Sequence, residues 1–226
     1  MMAWRKKNHD NGTSTEDTEA TAEGTAPDEA GPDGAGSAAA GPWDERDAPE
    51  GVRVDLGALQ IPVDDAYAIQ VPPEEGTSDL LAVLLVTEES VLELRAFAAG
   101  RTGSLWDEVR EDLKLEVDRL EGQHTEAPGP FGIELRTGIP AELPDGTEGV
   151  QPGRIIGVDG PRWFVRGTLL GLAAFDDAAA EPLIEAMRDV VVVRGSEAKM
   201  SREALALTID PSIPLLDENG LEPDDA

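Results

Sequence analysis

The sequence predicts an α+β fold with a mainly antiparallel sheet and two principal helices. Three observations support this class. Short runs of alternating apolar and polar residues are joined by short turns, which is typical of hairpins. Two other stretches repeat their apolar residues at helical spacing. The resulting order of strands, helix, strands and helix, with hairpins in place of crossover connections, favours α+β over a parallel α/β fold.

The first half of the predicted sheet precedes the first helix. We expect strands at residues 52–56 and 67–71. The apolar run 80–87 and the alternating run 91–99 predict an antiparallel pair joined by an acidic turn at 88–90.

Two helices are predicted from their caps and their apolar stripes. In the first helix, Ser104 and Asp107 form a capping box, in which a hydroxyl and an acid satisfy N–H groups of the first turn. Gly122 ends this helix. The second helix is capped by Asp176 or Asp177. The buried stripes are Trp106, Val109, Leu113, Val117 and Leu120 in the first helix, and Leu183, Ile184, Met187 and Val190 in the second.

Three of the remaining strands lie between the two helices, and two follow the second helix. The dipeptide Asp159-Gly160 between two alternating runs predicts a tight hairpin turn. The expected strands are 132–139, 154–158, 162–170, 190–193 and 204–209.

The chain is expected to have one folded domain between two tails. Residues 1–51 contain twelve acids, four bases and no Ile, Leu, Val, Phe or Tyr, so they cannot bury enough apolar surface to offset the entropy of ordering. We expect them to form a disordered acidic tail. The apolar pattern extends over residues 52–210, which is long enough for a single α+β domain with a hydrophobic core. Residues 211–226 carry five acids and no bases and are expected to form an acidic C-terminal tail, whose few apolar residues could contact a partner or the domain itself.

Composition excludes several classes of function. The formal net charge of −29 argues against nucleic acid or an anionic membrane as a partner, since both require clustered Lys and Arg. The apolar run at 80–86 is far shorter than the roughly 20 residues of a membrane span. With no Cys and only two His, we expect no metal site and no cofactor. The basic start of the chain is not followed by an apolar run, so it is not a secretory signal, and we expect a cytoplasmic protein.

Short matches to catalytic motifs are better explained by composition. Residues 34–39 match a relaxed dinucleotide fingerprint without the strand and helix that must flank it. Ser196 and Lys199 match an acylation motif whose two companion motifs are missing. His124 is a candidate general base, but no Ser or Cys shows a signature that would pair with it, so we expect an exposed loop histidine. We therefore predict no catalytic residue, and we expect a protein that is not an enzyme while leaving a cryptic activity open.

The strongest candidate site is a group of arginines on predicted strands. Arg162 and Arg166 would share one strand face, with Arg154 across the hairpin. Arginine suits an anion site because its planar fork binds carboxylate or phosphate through two hydrogen bonds. The alternative is that each arginine pairs with a cross-strand acid such as Glu93 or Glu134. The candidate binding residues are Arg136, Arg154, Arg162, Trp163, Phe164 and Arg166.

Five short motifs are distinctive when they are taken together. They are Gly160-Pro-Arg-Trp-Phe-Val-Arg-Gly167, Leu94-Arg-Ala-Phe-Ala-Ala99, Ser104-Leu-Trp-Asp-Glu-Val-Arg110, Gly129-Pro-Phe-Gly132 and Val190-Val-Val-Val-Arg-Gly195. With these motifs, residues 42–210 resemble an uncharacterised actinobacterial family, domain of unknown function 3710. The resemblance implies a soluble protein with an acidic low-complexity N-terminus, and it implies no established catalytic residue. The element order is also similar to that of PsbP-like α/β/α sandwiches, which often act as binding or assembly modules; this similarity concerns the fold alone.

The missing nucleophile, metal and cofactor signatures favour a non-enzymatic protein-interaction module. In this hypothesis the α+β domain presents a sheet face or edge to a protein partner. The alternative is a small-molecule or anionic-ligand binding protein, including a cryptic enzyme, that holds its ligand with the strand arginines. A nucleic-acid mimic is disfavoured because the acids lie in tails, turns and solvated helix faces without a regular array. The sequence identifies neither partner nor ligand, and it leaves homo-oligomerisation open.

Overall fold

The computed structural model describes residues 41–101, 103–142 and 146–209, and within these ranges the chain forms eleven strands, two α-helices and a short 3-10 helix. The strands form two sheets, in which neighbouring strands are antiparallel except for one parallel pair. The predicted α+β class is therefore confirmed. No helix in the described ranges is long and apolar enough to cross a membrane.

The elements follow one another along the chain as hairpins interrupted by the two helices. The helices are α1 (Leu105–Arg119) and α2 (Asp177–Asp189), and the 3-10 helix Leu172–Ala174 precedes α2. In chain order the strands are β1 Trp43–Asp44, β2 Arg53–Asp55, β3 Leu59–Pro62, β4 Ala68–Gln70, β5 Val83–Val86, β6 Ser90–Ala98, β7 Gln123–Gly129, β8 Gly132–Glu142, β9 Glu148–Gly160, β10 Trp163–Gly171 and β11 Val191–Val192.

The seven-stranded sheet joins the two halves of the described chain. Its strand order is β4-β5-β6-β10-β9-β8-β7, whereas the smaller sheet has the order β1-β11-β3-β2. Strands β7 to β10 form successive hairpins, and β10 then pairs with β6, which lies before α1 in the chain. The long pairing of β6 with β10 therefore unites the strands on either side of α1.

The seven-stranded sheet separates two apolar layers. On one face, α1 packs over β7, β8 and β9, where Leu105 and Trp106 contact Leu135, Ile155 and Phe164. On the other face, α2 packs against β6 and against β3 of the smaller sheet. The core on the α2 side includes Leu92, Leu94, Val165, Leu169, Leu183 and Met187.

Both predicted helix starts are present in the structure. The Ser104 hydroxyl accepts a hydrogen bond from the backbone N–H of Asp107 at 3.3 Å, which makes Ser104 the N-cap of α1. Of the two candidate caps for α2, the structure uses Asp176, whose carboxylate accepts from the N–H groups of Ala178 and Ala179. Caps depend on residues within one turn, which is why the sequence predicts them well.

The turn between β9 and β10 lies two residues later than the sequence predicted. Gly160 is paired with Trp163, so the loop residues are Pro161 and Arg162, and Arg162 adopts a φ of 68°. Gly160 is required for packing and not for the turn, because a Cβ at this position would overlap the Trp163 indole. The expectation that Arg162 lies on a strand was therefore wrong.

The edge strand β7 was absent from the sequence prediction. His124, expected in an exposed loop, lies on β7 opposite Thr137, with Nε2 at 3.3 Å from Asp118 Oδ1 of α1. The segment was hard to recognise because its polar residues and Pro128 do not alternate with apolar ones. An edge strand tolerates this composition, since it has a neighbour on one side only.

Regular structure begins before the predicted domain boundary at residue 52. Residues 41–51, assigned from the sequence to the disordered tail, contain β1, which pairs in parallel with β11. In addition, Trp163 Nε1 donates a hydrogen bond to Asp44 Oδ2 at 3.0 Å. A backbone pairing and one polar contact attach this segment, and neither produces an apolar run that the sequence could reveal. The rest of the first predicted tail and all of 211–226 lie outside the described residues.

Candidate functional site

The four arginines expected on strands do not converge on one site. Arg136 and Arg154 are opposite each other on β8 and β9, and both line a cleft beside α2. Arg166 lies on the other face of the seven-stranded sheet, and Arg162 lies in the β9–β10 turn. The strand register explains the separation, because Arg154 is opposite Leu169 and not opposite Arg166.

A buried carboxylate holds Arg136 and Arg154 together. Glu134 accepts a hydrogen bond from Arg136 Nε at 3.0 Å and another from Arg154 Nε at 2.8 Å. The Glu134 side chain is 1% exposed and that of Arg154 is 6% exposed, whereas that of Arg136 is 42% exposed. Arg154 Nη1 also donates to Asp177 Oδ1 at 2.8 Å. The Arg154–Glu134 pair is thus a cross-strand ion pair of the kind that the sequence left open as an alternative, and Arg136 joins it from the same strand as Glu134.

The cleft has a volume of about 300 Å³ and lies between the β7–β8 hairpin and α2. Arg188 of α2 lines it as well, with its guanidinium carbon 5.4 Å from the ring centroid of Phe131. Arg188 Nε lies 3.2 Å from Glu185 Oε1, but it makes no hydrogen bond of acceptable geometry with any described residue. Two acids of α2, Asp177 and Glu181, complete the charged lining. The apolar lining is formed by Pro128, Pro130, Ala180 and Ile184.

The α1-side face of the large sheet is only partly covered by that helix. Helix α1 packs over β7, β8 and β9 and covers Phe164 of β10, whereas the side chains further along the same face of β5, β6 and β10 are half-buried. Cross-strand partners point to the same face, so the registers of these three strands define one continuous surface. We name it the open sheet face. Its residues are Leu84, Val86, Val91, Glu93, Arg95, Arg166, Thr168 and Leu170.

Two arginines are directly opposite each other at the centre of the open sheet face. Arg166 of β10 pairs with Arg95 of β6 in the register. Glu93 Oε1 lies between them, 3.5 Å from Arg166 Nη2 and 3.0 Å from Arg95 Nε. Arg95 has a second acid, with Nη1 at 2.8 Å from Glu74 Oε2. Like charges that face each other across two strands are unfavourable, so this arrangement depends on the shared carboxylate.

Nearby carboxylates offset the positive charge of Arg95 more fully than that of Arg166. Burial lowers the pKa of Arg166, which Glu93 opposes and the neighbouring Arg95 reinforces. Burial also lowers the pKa of Arg95, but there Glu93 and Glu74 outweigh it and the net shift is upward. Arg166 Nε is buried and has no hydrogen-bond partner within the described part of the chain. Among the described residues, Arg166 therefore has one long hydrogen bond, to the shared Glu93, whereas Arg95 has two acids within reach.

The two aromatic candidates are core residues. Trp163 is 2% exposed, and Phe164 is 1% exposed, with its ring 6.1 Å from that of Trp106. The structure places both of these expected binding residues in the core, because a strand covered on both faces buries consecutive side chains. The Arg162 carbonyl accepts hydrogen bonds from the N–H of Ala99 and from Arg194 Nε, while no ion pair of the Arg162 side chain is seen among the described residues.

Two arginines of these surfaces were not singled out from the sequence. Arg95 follows Glu93 by two residues in an alternating strand, which places both on one face. Arg188 follows Ile184 by four residues in α2, which places both on one side of the helix. Local spacing therefore contained a signal for each of them. By contrast, the position of Arg95 opposite Arg166 depends on strand register, and the position of Arg188 in the same cleft as Arg136 depends on how α2 packs.

The side-chain chemistry of both surfaces suits the binding of anionic groups. Within the ranges 41–101, 103–142 and 146–209, no cluster of three or more His, Asp or Glu side chains could hold a metal ion. The guanidiniums on both surfaces can instead donate paired hydrogen bonds to a carboxylate or a phosphate.

Comparison with known proteins identifies the family. A search of curated proteins found no match. The family model described as "Protein of unknown function (DUF3710)" matches residues 41–214, a segment that begins next to β1 and includes every described residue. The match covers more than half of the chain and confirms the resemblance carried by the five motifs. The chain therefore belongs to the DUF3710 family of proteins of unknown function.

Proposed function

We propose that this protein is a non-enzymatic interaction module whose open sheet face binds an acidic segment of a partner protein. Arg166 carries the proposal, because its guanidinium faces Arg95 and shares with it the carboxylate of Glu93, the one acid in ion-pair contact with Arg166 among the described residues. A partner carboxylate would accept hydrogen bonds from the terminal nitrogens of Arg166, whose side chain is 25% exposed, and would offset the repulsion between the two cations. Such charge-assisted hydrogen bonds are short and about twice as strong as neutral ones.

The surroundings of the arginine pair suit a protein segment. The apolar side chains of the open sheet face are Leu84, Val86, Val91 and Leu170, which lie on three adjacent strands and are half-buried. Burying the rest of their apolar surface contributes roughly 25 cal/mol per Å². Apolar residues and arginine are also enriched in the cores of protein interfaces. A flat apolar surface with a cationic centre therefore fits an extended segment that carries both apolar and acidic side chains.

The high negative charge of the chain is compatible with an acidic partner. At physiological ionic strength, exposed charges further apart than about 8 Å are largely screened from one another. Affinity then depends on the groups in contact, which here include Arg166 and Arg95. Because the net charge of −29 repels an acidic segment at long range, we expect added salt to leave the association rate unchanged or to raise it, in contrast to complexes that are steered by opposite charges.

Site-specific photo-crosslinking in cells tests this proposal. A photo-crosslinking amino acid is introduced in place of Thr168 on the open sheet face. The matched control carries it in place of Leu115, an exposed residue of α1. We expect a discrete adduct with another protein from position 168 only, and we expect Arg166→Gln to abolish it.

Two results would contradict the proposal. One is an adduct yield at position 168 no higher than at position 115. The other is an adduct that maps only to residues 211–226 of the same chain, since the chain's own acidic segment would then occupy the face. The unfolding midpoint of purified Arg166→Gln separates loss of contact from loss of fold.

A further inference from the structure

The cleft beside α2 lies on the opposite side of the large sheet from the open sheet face. Three elements each contribute a guanidinium to it: Arg136 from β8, Arg154 from β9 and Arg188 from α2. None of the three belongs to the open sheet face. A ligand in this cleft would therefore be distinct from the protein segment proposed above.

Glu134 fixes the orientation of two of these guanidiniums. Each carboxylate oxygen of Glu134 accepts a hydrogen bond from one Nε, so Arg136 and Arg154 are both held through their Nε atoms. The terminal nitrogens of Arg136 then remain without a hydrogen bond among the described residues, on a side chain that is 42% exposed. Gly129 makes room for this arrangement, because a Cβ there would overlap the Glu134 carboxylate. Donors that are already oriented lower the entropic cost of binding an anion.

Arg188 supplies unused donors from the helix side of the cleft. Its guanidinium lies over the Phe131 ring, which restricts its orientation. Its Nε is close to Glu185 without forming a hydrogen bond. Arg136 and Arg188 thus present N–H groups from the sheet wall and from the helix wall of the same cleft.

The other lining residues limit the kind of ligand. Asp177 and Glu181 place two carboxylates on the helix wall, so a polyanion would meet repulsion at short range. Ala180 and Ile184 provide an apolar wall for the uncharged part of a ligand. A volume of about 300 Å³ is at the small end of ligand pockets.

We propose that this cleft binds a small organic molecule through a single oxyanion, a carboxylate or a phosphate ester, seated between Arg136 and Arg188. The oxyanion accepts hydrogen bonds from the terminal nitrogens of Arg136 and of Arg188. The organic part lies against Ile184. Arg154 and Glu134 hold Arg136 in place and need not touch the ligand.

Titration of the full chain with inorganic phosphate and with acetate tests the proposal. Binding is followed by NMR shifts at constant ionic strength, with chloride as the reference anion. Arg136→Gln and Arg188→Gln are compared with Arg119→Gln, a matched control on the exposed side of α1, where Arg119 pairs with Glu116. We expect saturable binding of at least one probe. Each cleft variant should weaken it by at least about tenfold, as the loss of a charged hydrogen bond implies, and the control by less than about twofold.

Failure of the proposal is distinguishable from failure of the fold or of partner binding. Failure of both probes to saturate the wild-type protein would overturn it, as would equal weakening by all three variants. The unfolding midpoints of the variants without probe show whether each remains folded. Crosslinking at Thr168 reports on the other face of the sheet, so either result can stand without the other.

Discussion

Asp159 and Ser104, which are 55 residues apart, meet at the start of α1. Ser104 Oγ donates a hydrogen bond to Asp159 Oδ2 at 2.7 Å. The same carboxylate accepts from the backbone N–H of Leu105 at 2.9 Å and lies 3.2 Å from that of Trp106. The carboxylate of Asp159, at the end of β9, thus completes the cap that Ser104 begins, and it attaches α1 to the sheet.

Replacement of Asp159 should therefore destabilise the protein more than loss of an exposed acid normally does. Asp159→Ala removes the acceptor for two helix N–H groups, and we expect a loss of about 1–2 kcal/mol in the free energy of unfolding. Urea denaturation measures it. Asp65→Ala, in an exposed turn, is the control and should change stability by less than about 0.5 kcal/mol. Equal effects of the two substitutions would show that Asp159 does not act as a cap.

The contact between Gly160 and Trp163 predicts a packing defect. In Gly160→Ala the new methyl group overlaps the buried indole, so we expect a cost of about 1–3 kcal/mol. The control is Gly51→Ala, where the nearest atom is the flexible end of Arg53. Thermal unfolding of both variants measures the difference. A Gly160→Ala variant as stable as the control would contradict the packing explanation.

The Asp44–Trp163 hydrogen bond predicts that residues before 52 contribute to stability. Asp44→Ala leaves the buried Trp163 Nε1 without its acceptor, which costs about 1–3 kcal/mol. Asp47→Ala, three residues later and exposed, is the matched control. Urea midpoints measure both. An Asp44→Ala variant that is no less stable than Asp47→Ala would contradict a stabilising role for this hydrogen bond.

Tyr67 predicts a loss of stability at high pH. Burial, together with the charges of Asp64 and Asp189, raises the pKa of Tyr67 from 10.0 to about 12. Between these pH values the unfolded chain binds fewer protons than the folded protein, so the free energy of unfolding falls as the pH rises. Because this is the only tyrosine, the near-ultraviolet absorbance of tyrosinate reports its titration directly.

Asp64→Asn provides the internal check on the Tyr67 titration. It removes one of the two charges and should lower the midpoint, while burial keeps it above 10.0. A wild-type midpoint near 10.0 in folded protein, with circular dichroism unchanged, would contradict the prediction.

Elements defined by local patterns could be predicted from the sequence. The start of α1 at Ser104 follows from a cap and a helical apolar stripe. Strand β6 follows from the alternating residues of 91–99, and the structure shows the matching alternation of buried and half-buried side chains over its nine residues. The acids Glu93 and Glu134 were also identified as alternative partners of the arginines, because a charged side chain that packs on a sheet face needs a counter-charge.

Features set by long-range pairing could not be predicted in the same way. The opposition of Arg166 and Arg95 depends on a register between strands 71 positions apart, for which no local pattern exists. The division of the strands into two sheets likewise depends on pairings such as β3 with β11. The arginine group was expected to be one site because strand assignment alone does not say which of two faces a cross-strand neighbour occupies.

The affinity of the purified protein for the partner segment captured by crosslinking at Thr168 tests most directly whether the open sheet face is the binding surface. Binding isotherms are measured for the wild type, for Arg166→Gln and for the exposed control Arg119→Gln. We expect Arg166→Gln to weaken binding by at least about tenfold, equivalent to about 1.4 kcal/mol, while Arg119→Gln stays within about twofold of the wild type. Equal affinities for all three proteins would contradict the assignment of the open sheet face as the binding surface.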